Sequence, residues 1–176
     1  CKYKAVAVFN GIHWRGAMQK KHRAFQKTYW MLLLALISSS LWAFGVGDTL
    51  GAIRLKDQFG KAHSLEKNVK RIYFTHDMAG GKLLKAALGD KGQAVLDSQQ
   101  AVAMTDVSAM PSMIRSMMAL PAMKKRSYQI WIDETGSVLG GLPRKPDQVT
   151  VIEMDKLVIT SVRFAADEKA LAASKP

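Results

Sequence analysis

The chain has 176 residues, 26 Lys and Arg against 14 Asp and Glu, and a net charge of +12. That length fits one ordinary domain. Its one cysteine, Cys1, excludes an internal disulfide, a cysteine-ligated metal site and a cysteine nucleophile anywhere downstream. Seven of the basic residues fall within residues 1–30, which hold no Asp or Glu, whereas residues 48–176 hold 19 basic and 14 acidic side chains, a net of +5. Over half of the excess charge therefore belongs to the N-terminal segment, and no nucleic-acid partner is expected from it.

In chain order, Lys20, Lys21, Arg23 and Lys27 precede the apolar run MLLLALISSSLWAF (31–44). A positive segment before an apolar run of this length is the pattern of a signal peptide. Met18 would be a natural start, which leaves residues 1–17 as an upstream extension, and cleavage is expected after Ala43 or Gly45. The open alternative is an uncleaved anchor, since residues 28–47 carry no charge and are long enough to span a bilayer. Either reading puts the domain outside the cytoplasm, in the periplasm or on the inner membrane facing it. Three regions follow: 1–17, 18–45 and a domain over 46–176.

In that domain Ile53 and Leu55 alternate with Arg54 and Lys56, a turn follows at Asp57–Gly60, and KAHSL returns, so the opening is a short hairpin. RIYFT (71–75) has the composition of a central strand. A helix is expected over 80–88, with Leu83, Leu84, Ala87 and Leu88 on one side, Lys82 and Lys85 on the other, and Gly89 as its C-terminal stop. AVAMTD (101–106) reads as the next strand. MPSMIRSMMAL (110–120) reads as a second helix with Pro111 near its start, and YQIWID (128–133) as a strand closed by a turn at Glu134–Gly136. Residues 149–164 form a hairpin turning at Asp155 and Lys156, and a short helix covers 167–173. The alternation predicts an α/β domain whose mixed sheet carries helices on both faces.

The turn between RIYFT and the first helix holds His76, Asp77, Gly80, Gly81 and Lys82. Glycines at a helix N-terminus beside a lysine suit a phosphate or carboxylate. The P-loop pattern fails, because His76 stands where a glycine is needed and Leu83 follows the lysine. His76 and Asp77 would need a third partner for acid–base or metal chemistry. The available one is His63, if the hairpin packs near the turn. Otherwise the histidines are solvated, Asp77 caps the helix, and the glycines shape the turn. Met110, Met113 and Met117 are spaced to share a helical face; thioethers suit Cu(I), but the same spacing serves packing, and no metal site is expected. The basic clusters MKKRS (123–127) and PRKP (143–146) read as solvated loops.

The order GDTLGAIRLKDQFGKAHSLEK, strand RIYFT, turn and helix resembles exported thioredoxin-like and peroxiredoxin-like proteins. It is also similar to short exported proteobacterial proteins of unassigned function, some labelled FAD/FMN-containing dehydrogenase. No G-x-G-x-x-G follows a strand here to support a flavin. The resemblance implies a thioredoxin-like mixed sheet flanked by helices, with redox cysteines at the start of the helix after the central strand. Spacing puts Ala79, Gly80, Gly81 and Lys82 there, and Ser127 or Tyr128 replaces the family's later proline. The expectation is a binding or accessory protein of the envelope with no catalytic residue and no cofactor, partnered by another envelope protein. The alternatives are an enzyme or a flavin- or anion-binding protein built on residues 76–82, or a periplasmic Cu(I) carrier.

Overall fold

The computed structural model describes residues 44–172. Residues 1–43 and 173–176 lie outside that range, and with them the upstream extension, the leader or anchor as far as Ala43, and the last position of the expected C-terminal helix. Seven strands form one sheet: β1 (Arg54–Asp57), β2 (Ala62–Ser64), β3 (Arg71–Thr75), β4 (Ala101–Asp106), β5 (Ile130–Asp133), β6 (Val149–Asp155) and β7 (Val158–Ala165), in the order β2-β1-β5-β4-β3-β6-β7. The central three run parallel, with Phe74, Met104 and Trp131 side by side. β1 and β6 flank them antiparallel.

Parallel neighbours need crossovers, and helices supply them. Between β3 and β4 lie α1 (Met78–Leu88) and α2 (Gly92–Ser98). Between β4 and β5 lies α3, continuous over 112–124 in three pieces, of which the middle one, Arg115–Ala119, is π-helical. α4 (Glu168–Ala172) follows β7. No helix among the described residues is long and apolar enough to cross a membrane.

Side chains alternate along the central strands, so each strand feeds two cores. Tyr73, Ala103, Ile130 and Val151 face one side, where they meet Leu84, Leu88, Leu96 and Leu171 of the helices. Ile72, Phe74, Met104 and Trp131 face the other, where Leu50, Ile53, Leu139 and Leu142 close over them. The expected helices on both faces are therefore not found: among the described residues all four contribute to the first core. The second is covered by irregular chain around Leu50 and Leu139.

Three of the differences from the sequence reading have an identifiable physical cause. α2 was not anticipated, because Gly92 is a poor helix residue. A Cβ there would lie 2.6 Å from the Tyr128 ring and 2.8 Å from Ser127 Oγ, so only glycine fits. α3 continues to Lys124 past Pro121 because the wider π turn, with Leu120 N–H donating to Arg115 O, accommodates a residue that has no N–H of its own. β5 starts at Ile130 because Gln58 holds the preceding backbone, donating to Tyr128 O at 3.0 Å and accepting from Ile130 N–H at 2.8 Å.

Asp133, at the end of β5 and 1% exposed, organises the cover of the second core. Its Oδ1 accepts from Thr135 N–H at 3.0 Å and Gly136 N–H at 2.9 Å. Its Oδ2 accepts from Val138 N–H at 2.8 Å and Leu139 N–H at 2.7 Å. Burial alone would raise this carboxyl, but the N–H donors of Leu139, Val138 and Thr135 outweigh it and hold it below its ordinary value. A depressed folded-state value stabilises the fold fully above the ordinary value of about 3.9, and that contribution is lost as pH falls through the folded-state value. Asp133→Asn turns an NH2 group toward one pair of donors. We expect it to cost about 2 kcal/mol in urea unfolding at pH 7, with the gap to wild type narrowing as the pH is lowered from 5 toward 3.

Candidate functional site

β3 ends at Thr75, and His76 and Asp77 lead into α1. Asp77 is in extended conformation and caps the helix: its Oδ1 accepts from Gly80 N–H at 2.7 Å. Its Oδ2 accepts from Asp147 N–H at 2.8 Å and lies 3.6 Å from His76 Nε2. A carboxylate thus already sits on the positive end of α1. Gly80 is buried, and a Cβ on it would stand 2.9 Å from Gln148 O, whereas one on Gly81 would meet nothing within 4 Å. Gly80 is thus required by close packing inside the helix.

A cavity of about 330 Å3 opens beside this turn, between α1, the C-terminal ends of β3 and β4, and α3. His76, Asp77, Gly81 and Lys82 line it; Gly80 packs behind, against residues 147–148. Most of its wall is apolar, with Met78, Ala103, Met110, Ile114, Met118 and Met123 prominent. Thr75 and Thr105 also line it, and Thr75 Oγ1 donates to Thr105 Oγ1 at 3.0 Å. Asp106, a further lining residue, is held by Arg144 Nη1 at 3.0 Å.

Arg126 is the lining cation that the sequence reading placed in a solvated loop. Instead its Nη1 is buried without a hydrogen-bond partner. Among the described residues it forms no ion pair, while Arg71, Arg115, Arg144 and Arg163 each have a carboxylate. Beside it Tyr128, also lining the cavity, is buried; burial pushes its phenol up, and the Arg126 charge pulls the other way. No local pattern marks Arg126, because its surroundings come from α1, α3 and β5 together.

The other expected groupings are dispersed. Three strands lie between β2, which carries His63, and β3, which leads to His76. His63 binds Asp57 Oδ2 through Nε2 at 2.9 Å and stacks on Trp131 at 5.4 Å, so it is neither a partner of His76 nor solvated. His76 is half-buried too, stacked on Phe74 at 6.2 Å, and its Nδ1 is buried and unpartnered. Among the described residues no three His, Cys, Asp or Glu side chains could hold a metal ion. Met110 packs on the first core, while Met113 and Met117 are each 71% exposed, so the three do not share one environment. The π turn between them breaks the α spacing on which their common face depended. In PRKP, Arg144 lies 5.3 Å above the Phe74 ring and Lys145 4.6 Å above Phe164, which makes that cluster part of the packing.

No family model and no curated protein matches the sequence. Solved structures are similar in shape. One is described as a protein disulfide isomerase from Bacteroides thetaiotaomicron (TM-score 0.51, 11% identity, covering 73% of this chain and 84% of that one). Another is described as the thiol:disulfide interchange protein DsbE from Chlorobium tepidum (0.50, 16%, 74% and 95%), and a third as a thio-disulfide isomerase from Thermus thermophilus (0.50, 13%, 74% and 94%). The chain has the thioredoxin-like fold. Its first turn of α1, where redox cysteines are expected in that fold, reads Met78, Ala79, Gly80 and Gly81, one residue earlier than spacing alone suggested.

The two glycines of this thioredoxin-like turn separate packing from propensity. Gly80→Ala gains helix propensity but drives a Cβ into the 148 carbonyl, and we expect a net loss of about 1–3 kcal/mol. Gly81→Ala meets open space and should gain up to about 1 kcal/mol. Thermal and urea denaturation of both variants checks the opposite signs.

Proposed function

We propose that this is an exported thioredoxin-like domain that works by binding, without thiol redox chemistry, as an accessory protein of the cell envelope. One observation carries the reading: the first turn of α1 holds no sulfur nucleophile, and an apolar cavity opens beside it. The solved structures similar in fold are described as disulfide isomerases or interchange proteins. Thiol exchange needs an accessible thiolate with a lowered pKa. The described residues contain no cysteine, so this chain keeps the scaffold and lacks the reagent.

The partner in this reading is another envelope protein, docking on α3. That helix presents Met113, Met117, Met118 and Ile114 to solvent. Adjacent exposed apolar side chains mark interaction surfaces, and methionine adapts to differently shaped partners. A second reading, an enzyme or anion-binding protein built on His76, Asp77 and Lys82, is favoured by the position of the cavity at the C-terminal end of β3, where α/β sheets receive ligands.

The purified protein is expected to give no acceleration of dithiothreitol-driven insulin reduction and no peroxide consumption above the uncatalysed rates. A tagged protein should retain a partner from envelope extract that Met117→Lys releases. Turnover in either thiol assay would end this reading.

A further inference from the structure

The cavity between α1 and α3 joins two features that ordinary packing does not need together. Its wall is mostly apolar, and five of its lining residues, Met78, Met104, Met110, Met118 and Met123, are methionines, whose flexible thioethers fit unlike shapes. Its volume, about 330 Å3, stands at the lower end of the range for small-molecule sites, about 300–1,000 Å3. Arg126, one of its lining residues, has a buried Nη1 with no acceptor.

The carboxylates in the lining do not serve that cation. Asp77 is engaged by the N–H groups of Gly80 and Asp147 and lies beside His76. Asp106 is paired with Arg144 and accepts from Ser108 N–H at 2.9 Å. The hydroxyl of Thr75 donates to that of Thr105 and is not directed to Arg126. Lys82, exposed at the rim, adds a second positive charge at the mouth. A buried donor without a partner is costly, and a guanidinium bonded to a carboxylate is among the stronger pairs available.

We propose that this cavity binds a small molecule with an apolar body and one anionic group, of the class of medium-chain monocarboxylates, with the chain against the methionines and the carboxylate on Arg126. The idea rests on the reading of this domain as a binding protein and names the chemistry of one thing it binds. Neither part of such a ligand is sufficient. An inorganic anion leaves the apolar wall wet, and a neutral chain leaves Arg126 unpaired.

The test is calorimetric titration of the full chain at pH 7 with decanoate, decanol, decyltrimethylammonium and inorganic phosphate, each below its aggregation concentration. Decanoate should bind one to one, at least about tenfold tighter than decanol. The cationic amphiphile and phosphate should give no saturable heat. Arg126→Gln should bring decanoate to the affinity of decanol, and Arg126→Lys should restore part of the difference. Ala119→Phe, which fills the cavity and leaves the cation, should weaken both chains. Because the ligand series on wild-type protein needs no variant, a poorly folded Arg126→Gln does not rescue the idea. Decanol binding as tightly as decanoate, decanoate failing to bind, or a folded Arg126→Gln that keeps full decanoate affinity would each overturn it. Those results leave the non-thiol reading standing; thiol turnover in the insulin assay removes that reading whichever way the titrations fall.

Discussion

The first turn of α1 is seated directly on the backbone at residues 147–148, and the site depends on that seat. Asp77 makes the attachment with both carboxylate oxygens, one to its own helix at Gly80 N–H and one across to Asp147 N–H. Gly80 makes room for it, since any side chain there meets Gln148 O. The helix entry is thereby fixed at the C-terminal end of β3, and α1 becomes one wall of the cavity. The same arrangement spends the positive end of the helix on an internal carboxylate. The glycine-bearing turn, which in the sequence looks like an anion cradle, is structurally a clamp.

Asp133 performs a matching task on the other side of the sheet. By gathering the N–H groups of Thr135, Gly136, Val138 and Leu139 it folds a loop that has no regular structure into a cover, with Leu139 and Leu142 in one cluster with Phe74 and Trp131. Arg144 then reaches back to Asp106 and to the carbonyls of Leu139 and Gly140. Asp106 and Asp133, each buried at the end of a strand, therefore have their charges compensated. Arg126, in contrast, lines the cavity with a buried Nη1 that has no partner.

Much of the fold was legible in local pattern. RIYFT and AVAMTD are apolar on both faces of the pleat and became adjacent parallel strands. Gly89 has φ 59°, as a C-terminal stop requires, and the β6–β7 turn falls at Lys156 and Leu157, one residue later than expected, with φ of 48° and 74°. Asp77 caps α1 as its position suggested. What was not legible depended on distant chain. Gly92 reads as a helix breaker until Tyr128 and Ser127 are packed against it. Pro121 reads as a helix end unless a π turn absorbs it. The basic cluster at 123–127 reads as solvent-facing, and only the tertiary arrangement buries the tip of Arg126. Alternation along a strand shows that two faces are buried but not whether a helix or a loop does the burying.

The picture that results is a thioredoxin-like fold in which the space beside the first turn of α1 is lined with methionines and with an arginine whose buried Nη1 has no partner. Methyl NMR of the full chain labelled at methionine Cε, titrated with decanoate, tests this most directly. Saturable shifts at Met78, Met110, Met118 and Met123, with Met154 of the second core unmoved, are the predicted result. Shifts at Met113 and Met117 alone, or none that saturate, would contradict a ligand seated in the cavity.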